Sequence, residues 1–359
     1  MHRRPLTRQA PLARDTLLAL YPATLVALTL AALLAPQRAG PLALTQVFAH
    51  FLFLPALLLL PIALAPGMVL LRLTLATAAA AFLLVYPPAF GAPAPSPVAD
   101  TPELGVLSWN LYVGGVTPGA LREVLAEHQP DVVLLQEADW EALAADGELL
   151  AAYPYRRLRP EETAPSLAIL SRYPIVDSGV PELPGDVWDM PRLVWARLDL
   201  GGQAVTVVNA HPMPPRTFGA TCPLLHCYNT GPRDAQITGI RAYVDELQRR
   251  YGDPLILAGD MNVSERERAY DDLAAGLSDA HRAAGLGFGA SWRPGQLNLP
   301  LGLIRIDYLF ASPGAVPLTF TTDCARRGSD HCLVAGRFGL VFGADLGAPT
   351  RGAATVLPS

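Results

Sequence analysis

The sequence contains no lysine: all 27 of its basic residues are arginine, a bias we read as genomic composition rather than function. Charge of either sign is nearly missing from residues 1–99, which hold only Arg3, Arg4, Arg8, Arg14, Arg38, Arg72 and Asp15. A segment that long with so little charge cannot present an ordinary aqueous surface. At 51% hydrophobic residues the chain is too apolar to be wholly soluble. A basic excess is missing from the rest, since residues 100–359 carry 21 arginines against 31 acids, a formal charge of −10. A protein that grips nucleic acid mainly through phosphates needs a basic patch, so this balance weighs against a general nuclease. It does not exclude one, because an acidic metal site supplies several of those carboxylates and a local Arg cluster can outlast an unfavourable total. No internal repeat is visible, and 359 residues exceed one typical domain.

What the first 99 residues do contain is three uncharged runs, 16–37, 39–71 and 73–99. About 20 apolar residues suffice to cross a bilayer core as a helix. Three spans are therefore expected near 16–36, 42–64 and 68–88, with Ala65-Pro66-Gly67 as the turn between the second and third. A cleaved signal peptide would supply one short run, not three. Four arginines precede the first span, which predicts a cytoplasmic N-terminus, and three crossings then place the remainder outside the membrane. The organisation expected is a basic N-terminus (1–15), a membrane segment (16–90), a Pro-rich linker (91–102), a catalytic domain (103–340) and a flexible tail (341–359).

All four cysteines, Cys222, Cys227, Cys324 and Cys332, lie in the half expected outside, where an even count points to disulfides. Cys222 and Cys227 share one loop and are a candidate local pair. Cys332 sits in an apolar strand pattern and equally fits a small buried thiol. Cys222, His226 and Cys227 also raise zinc, but three ligands within six residues lack the matching distant pair of a structural site.

Beyond the linker, short β-rich runs alternate with helical stretches, the rhythm of an α/β domain. Strands are predicted at 104–109, 131–136, 167–171, 193–198, 204–209, 255–258, 307–310 and 333–338, with helices near 118–127 and 233–250. In the second helix Ile237, Ile240, Val244 and Leu247 recur at spacings of three and four, the stripe of a helix laid on a sheet.

Catalytic groups of α/β domains gather where strands end, and the residues ending these runs are polar. They are Asn110, Glu137 after Gln136, His211 after Asn209-Ala210, Asp260 and Asn262 in Gly-Asp-Met-Asn, Asp307 in Arg-Ile-Asp-Tyr, and Asp330-His331. Each alone fits a turn, a cap or a surface acid. Carboxylate and amide oxygens dominate the set, which fits a hard cation such as magnesium or manganese better than zinc.

Together and in this order, these motifs resemble the endonuclease/exonuclease/phosphatase superfamily, which includes deoxyribonuclease I, abasic-site endonucleases, neutral sphingomyelinases and inositol polyphosphate 5-phosphatases. Residues 168–175, Ala-Ile-Leu-Ser-Arg-Tyr-Pro-Ile, are similar to the family's strand and turn after the Glu motif. The resemblance implies a four-layer α/β sandwich, two mixed sheets packed face to face with helices outside. It assigns Asn110, Glu137 and Asp330 to the metal, and Asp260 with Asn262 to orienting or deprotonating water. Asp307 would pair with His331 and keep it positively charged beside the phosphate. His211 matches the Asn-x-His motif of the deoxyribonuclease and sphingomyelinase branches and would contact the phosphate or protonate the leaving oxygen. Arg192 and Arg233 are candidate phosphate contacts, Arg233 because it begins a helix.

The core chemistry leaves the substrate open. A membrane tether confines the site to a layer above the bilayer and favours a lipid-linked phosphate, and Phe218, Leu224, Leu225 and Tyr228 add apolar residues to the loop after His211. An exported metal-dependent nuclease and a non-catalytic membrane binding module are the alternatives; the intact polar set opposes the second.

Overall fold

The computed structural model describes residues 9–91, 101–157, 166–183, 192–216, 227–295, 299–325 and 327–342. The chain divides into two compact units. One comprises Met1–Pro88, Pro214–Asp234 and Val263–Asp271, and the other Ala89–Met213, Ala235–Asn262 and Asp272–Ser359. Two stretches of the catalytic range expected from sequence, Pro214–Asp234 and Val263–Asp271, are thus grouped with the first unit.

The N-terminal unit begins with α1 (Gln9–Leu34), followed by α2 (Gly40–Val47), α3 (Ala49–Phe53), a 3-10 turn (Leu54–Leu59), α4 (Leu60–Ala63) and α5 (Val69–Val85). The expectation of three transmembrane helices needs correction. Among the described residues only Leu12–Leu34 is long and apolar enough to cross a membrane, and a second span is counted there only if the pair bent by 83° at residue 48 is taken as one. Composition concealed the reason, which is proline. Pro41, Pro55 and Pro61 each stand at the start of a new short segment, where the missing N–H and the ring clash interrupt a continuous helix. α5, with 17 residues, falls short of the ~20 a spanning helix needs. The lone acid of this region is structural: buried Asp15 accepts 2.9 Å hydrogen bonds from the Leu70 and Leu71 amides, capping α5 from α1.

The second unit opens on β1 (Ala89–Phe90), β2 (Glu103–Asn110), α6 (Pro118–His128), β3 (Val132–Ala138), α7 (Trp140–Ala145) and α8 (Gly147–Ala152). There follow β4 (Tyr155–Arg157), β5 (Ser166–Ser171), β6 (Ile175–Gly179), β7 (Leu193–Asp199), β8 (Ala204–Ala210), α9 (Gly231–Tyr251) and β9 (Leu255–Asp260). It closes with α10 (Arg268–Ala274), β10 (Ser278–Asp279), α11 (Ala280–Ala284), β11 (Leu286–Gly287), β12 (Asp307–Ala311), β13 (Ala315–Asp323) and β14 (Leu333–Leu340). α9 leaves from the N-terminal unit and α10 enters from it.

Two six-stranded sheets form, ordered β13-β14-β2-β3-β5-β4 and β10-β12-β9-β8-β7-β6, with β1 and β11 as a separate pair. β2 runs parallel to β3 and β8 to β9, and the other neighbours are antiparallel. Both sheets are therefore mixed, as expected. Leu104, Val106, Val132 and Leu134 of one sheet share a core with Val194, Val207, Ile256 and Leu309 of the other. On the outer face of the first sheet Leu107, Trp109 and Val133 pack with Leu121, Val124 and Leu125 of α6. That helix starts at Thr117, whose hydroxyl accepts from the Ala120 amide, and stops at Gln129 in the left-handed region. Ile237, Ile240, Val244 and Leu247 of α9 are buried, the stripe expected. All eight predicted strands exist to within two residues of each end.

Candidate active site

Strand alternation builds the site. Side chains two apart share a face, and on the strands lining the inter-sheet core the inward row ends in polar residues. Leu104 and Val106 lead to Ser108 and Asn110 on β2, Val132 and Leu134 to Gln136 on β3, Val205 and Val207 to Asn209 on β8. Ile256 and Ala258 lead to Asp260 on β9, while Asp307 heads the row of Leu309 and Ala311 on β12. The site is therefore the polar rim of the apolar space between the sheets.

Just beneath it a buried clamp joins the sheets. Gln136 donates to Asn209 Oδ1 at 2.7 Å and Ser108 Oγ at 3.0 Å, and Asn209 donates to the Leu135 and Ala168 carbonyls at 2.8 and 3.0 Å. Leaving such groups unmade at depth costs about 1–3 kcal/mol each, so this set fixes how the rims meet. In the sequence Gln136 and Asn209 stand out only as neighbours of Glu137 and His211. Their signal was amide side chains at inward-facing register.

Above the clamp the expected residues converge. His331 Nδ1 lies 2.9 Å from Asp307 Oδ2, which also accepts from Ser291 Oγ at 2.6 Å. The far side of the ring, Nε2, faces Asp260 Oδ2 at 3.6 Å. That oxygen lies 3.4 Å from His211 Nε2 and 3.1 Å from Asn110 Nδ2. Asp260 Oδ1 accepts from the Asn262 amide at 2.9 Å, and Asn262 Nδ2 donates to the Pro212 carbonyl at 3.0 Å. Ser329 joins the His331 loop to β2, donating to the Asn110 carbonyl at 2.7 Å and accepting from the His331 amide.

The backbone is constrained at these positions. Glu137 and Asn262 adopt left-handed φ of 51° and 49°, conformations that non-glycine residues keep only where the surroundings impose them. A Cβ on Gly259 would sit 1.9 Å from the Ala210 carbonyl oxygen, so no other residue fits directly before Asp260.

Burial and mutual charge set the protonation states. Burial alone would push the His331 imidazole down, but Asp307 and Asp260 outweigh it and raise it to about 10, leaving an imidazolium at neutral pH. Burial pushes the Asp260 carboxyl up, yet His331 and the hydrogen-bonding His211 hold it below the ordinary range, so it stays ionised. Burial keeps Asp307 above that range against the pull of His331, with the Asp260 charge adding to the rise.

The donor set fits a divalent cation. Asp330 Oδ2 accepts from Trp292 Nε1 at 3.2 Å, whereas its Oδ1 is buried with no hydrogen-bond partner and lies 4.0 Å from His331 Nε2. Burial first, and then the charge of Glu137, push the Asp330 carboxyl up against the pull of His331. A carboxyl held up by burial and a neighbouring negative charge, with one oxygen unsatisfied, is what a hard cation relieves. Asn110 positions Glu137, donating to its Oε1 at 3.0 Å while the Asn110 oxygen accepts from the Tyr112 amide. Asp260, Asp307 and His331 also offer atoms close enough to share an ion. An imidazolium has no lone pair to offer, so that trio is an ion-pair chain rather than a ligand set.

The two arginines behave differently from the other candidates. Arg192 is buried, and its carbonyl accepts from the His211 amide at 2.9 Å. It reaches this neighbourhood through its backbone. Arg233 belongs to the N-terminal unit, where its guanidinium bonds Glu267 at 2.8 Å and Asp234 at 2.7 Å, so two carboxylates already match its charge.

Ser291 and Trp292 were missed from sequence, lying in an irregular stretch with no strand pattern to mark their direction. Of the two alternatives left open for Cys332, a disulfide or a small buried thiol, the structure has the disulfide, formed with Cys324 across the loop that carries Asp330 and His331. Cys227 is disulfide-bonded too, and no free cysteine exists among the described residues. Cys222 and His226, with Phe218, Leu224 and Leu225, lie outside the described residues, as do the linker from 92 to 100 and the tail from 343. Tyr228 is buried, its hydroxyl bonded to Glu267.

A family model described as "Endonuclease/Exonuclease/phosphatase family" matches residues 107–331. A comparison with curated protein sequences finds no match. Among solved structures, an endonuclease/exonuclease/phosphatase family protein from Bacteroides thetaiotaomicron is 19% identical, covers 68% of this chain and all of its own, with a TM-score of 0.53. A mannosyl-6-phosphatase from the same species is 21% identical over 67% of this chain and 100% of its own, at 0.51. A 3' phosphatase from Neisseria bound to a product DNA hairpin is 20% identical over 66% and 99%, at 0.52. At these identities the likeness is one of fold.

Proposed function

Because this chain belongs to the endonuclease/exonuclease/phosphatase family, whose members hydrolyse phosphoester bonds, we propose that it is a divalent-metal-dependent phosphoesterase held at a membrane by its N-terminal unit and acting on a lipid-linked phosphate at the outer face. The observation that carries the chemistry is the chain Ser291, Asp307, His331, Asp260 at a rim where Asp330 has an unsatisfied oxygen.

The residues divide the work as follows. Asp260, ionised and oriented by Asn262, aligns the attacking water and takes its proton. His331, held cationic by Asp307, places a positive charge against the phosphate, and Ser291 keeps Asp307 turned toward it. His211, facing Asp260 on the other side, contacts the phosphate or protonates the leaving oxygen. Glu137 and Asp330, with Asn110 positioning Glu137, would hold magnesium or manganese, which supplies neutralisation of phosphate charge as bonds to phosphorus rearrange.

Three features support the location. α1 is long and apolar enough to span; Arg3, Arg4, Arg8 and Arg14 precede it, favouring a cytoplasmic N-terminus; and disulfides at Cys227 and Cys324–Cys332 fit an oxidising compartment. One crossing by α1 is enough for this arrangement. Confinement to the bilayer surface and the acidic balance of residues 100–359 favour a lipid phosphate over nucleic acid.

The test uses the full chain in lipid nanodiscs with magnesium, offered a prenyl pyrophosphate in the bilayer or plasmid DNA in solution. Phosphate release from the lipid, lost in His331→Ala, is expected. Rapid plasmid nicking that fades with salt, without lipid turnover, would replace this reading with an exported nuclease, and inactivity on both would leave a non-catalytic module.

A further inference from the structure

We propose that a groove whose wall continues, through Ala290 and the Cys324–Cys332 disulfide, into the segments carrying Ser291 and His331 seats the hydrocarbon tail of the phosphate ester that the site cleaves; this rests on the lipid-linked reading above. The groove has a volume of about 830 Å³, and Leu286, Phe288, Leu301, Phe320, Ala290 and Cys324 contribute to its lining. That size lies within the ~300–1,000 Å³ of ordinary small-molecule sites.

Its apolar walls are open to water. Leu286 is 78% exposed, Leu301 53% and Phe288 43%, and Phe90, paired to Leu286 across β1 and β11, is 80% exposed. Large aliphatic and aromatic groups gathered so openly around one concavity mark a surface that something apolar covers. β1 follows α5 in sequence after residues 86–88 alone.

Continuity with the catalytic residues says which apolar group that is. Ala290 lines the groove, and the next residue, Ser291, donates to Asp307. Cys324 lines it too, and its disulfide partner Cys332 follows His331 directly. The segment is held tightly, since the Cys332 amide donates to the Ser291 carbonyl at 2.6 Å and Trp292 pairs with both Ile304 and His331. Two bridged segments, 290–292 and 331–332, therefore carry catalytic side chains at positions next in sequence to Ala290, and bonded through the disulfide to Cys324, of the groove wall. A substrate with phosphate at His331 and an apolar chain attached meets both. A sugar phosphate, polar on every side, gains nothing from such a wall.

The consequence is a dependence on chain length that a surface merely buried by another protein would not produce. Burying a methylene strengthens binding about fourfold. With the full chain, magnesium and a series of alkyl p-nitrophenyl phosphodiesters of two to ten carbons, kcat/KM should rise by roughly three- to fourfold per carbon until the groove is filled. In Leu301→Asp and Leu286→Asp, both exposed positions where folding is not at stake, the rise should flatten while turnover of the two-carbon ester stays at the wild-type value. A wild-type series that is flat, or a slope unchanged in both variants, overturns the groove. If the series is flat yet prenyl pyrophosphate in nanodiscs is still hydrolysed, the groove alone falls; if the lipid is not turned over and plasmid is nicked, the lipid-linked reading falls and takes the groove with it.

Discussion

Two clusters in the second unit place a histidine among acids with ligating atoms close enough to share a cation: Glu127, His128 and Asp323, and Asp260, Asp307 and His331. Their chemistry diverges through surroundings rather than composition. In the first, Arg327 bonds Asp323 at 2.7 Å and Glu127 at 2.6 Å, and the Glu127 side chain is 57% exposed. Water and a guanidinium satisfy the acids, and the result is an ordinary surface ion-pair network. Burial pushes Asp323 up, but the Ala325 amide and Arg327 hold it below its usual range. In the second cluster the acids are 1–2% exposed and face histidines. Desolvation makes each charge dependent on the next, which gives an imidazolium poised for work. Residue type nominates a site; burial and the identity of the partner decide it.

Substitutions should separate the clusters sharply. His331→Ala should lower kcat/KM on a phosphodiester by at least ~10³-fold, whereas His128→Ala should change it by less than about twofold. A comparable loss in both would erase the distinction. Cation demand should follow the same line. Asp330→Asn should raise the magnesium concentration for half-maximal rate by roughly 10–100-fold, while Glu127→Gln leaves it unmoved in the same titration.

Stability against pH, measured by thermal unfolding without added cation, sharpens the contrast further. The His331 value is raised in the folded state, so its contribution is complete below about 6.5 and disappears as pH climbs through about 10. Asp260 has the opposite sign: its contribution is present above the ordinary 3.8 and is lost as pH falls through its depressed folded value. Asp307→Ala removes the main partner and should cost about 3–5 kcal/mol at neutral pH. Asp323→Ala, at a solvated pair, should cost less than about 1 kcal/mol. The smallest expected effect belongs to the Ser291 hydroxyl. Ser291→Ala should lower kcat by roughly tenfold or less, about the worth of one hydrogen bond to a charged group, with the alkaline limb of the rate profile moving down as Asp307 loosens.

The catalytic unit was far more legible than the N-terminal one. Eight strands and the terminal residues Asn110, Glu137, His211, Asp260, Asp307 and His331 could be placed from sequence, because the regular period of short apolar runs, each ending in a polar residue, marks strand ends and their order resembles the family's motifs. Ser291 and Trp292 escaped, since irregular backbone carries no such period. The N-terminal error had a different origin. Three uncharged runs were counted as three spans, yet apolarity reports solvent preference while Pro41, Pro55 and Pro61 decide continuity. Arg233 illustrates a third limit: a helix start nominates an anion site, but Glu267, 34 residues away in sequence, had already claimed the charge.

The most direct test of the account is hydrolysis of bis(p-nitrophenyl) phosphate by the full chain, with magnesium or with EDTA, in wild type, Asp260→Asn and His128→Ala. The account predicts turnover that requires the cation, falls by at least ~10³-fold in Asp260→Asn, and is untouched in His128→Ala. Turnover that survives chelation, or that survives Asp260→Asn, would contradict it.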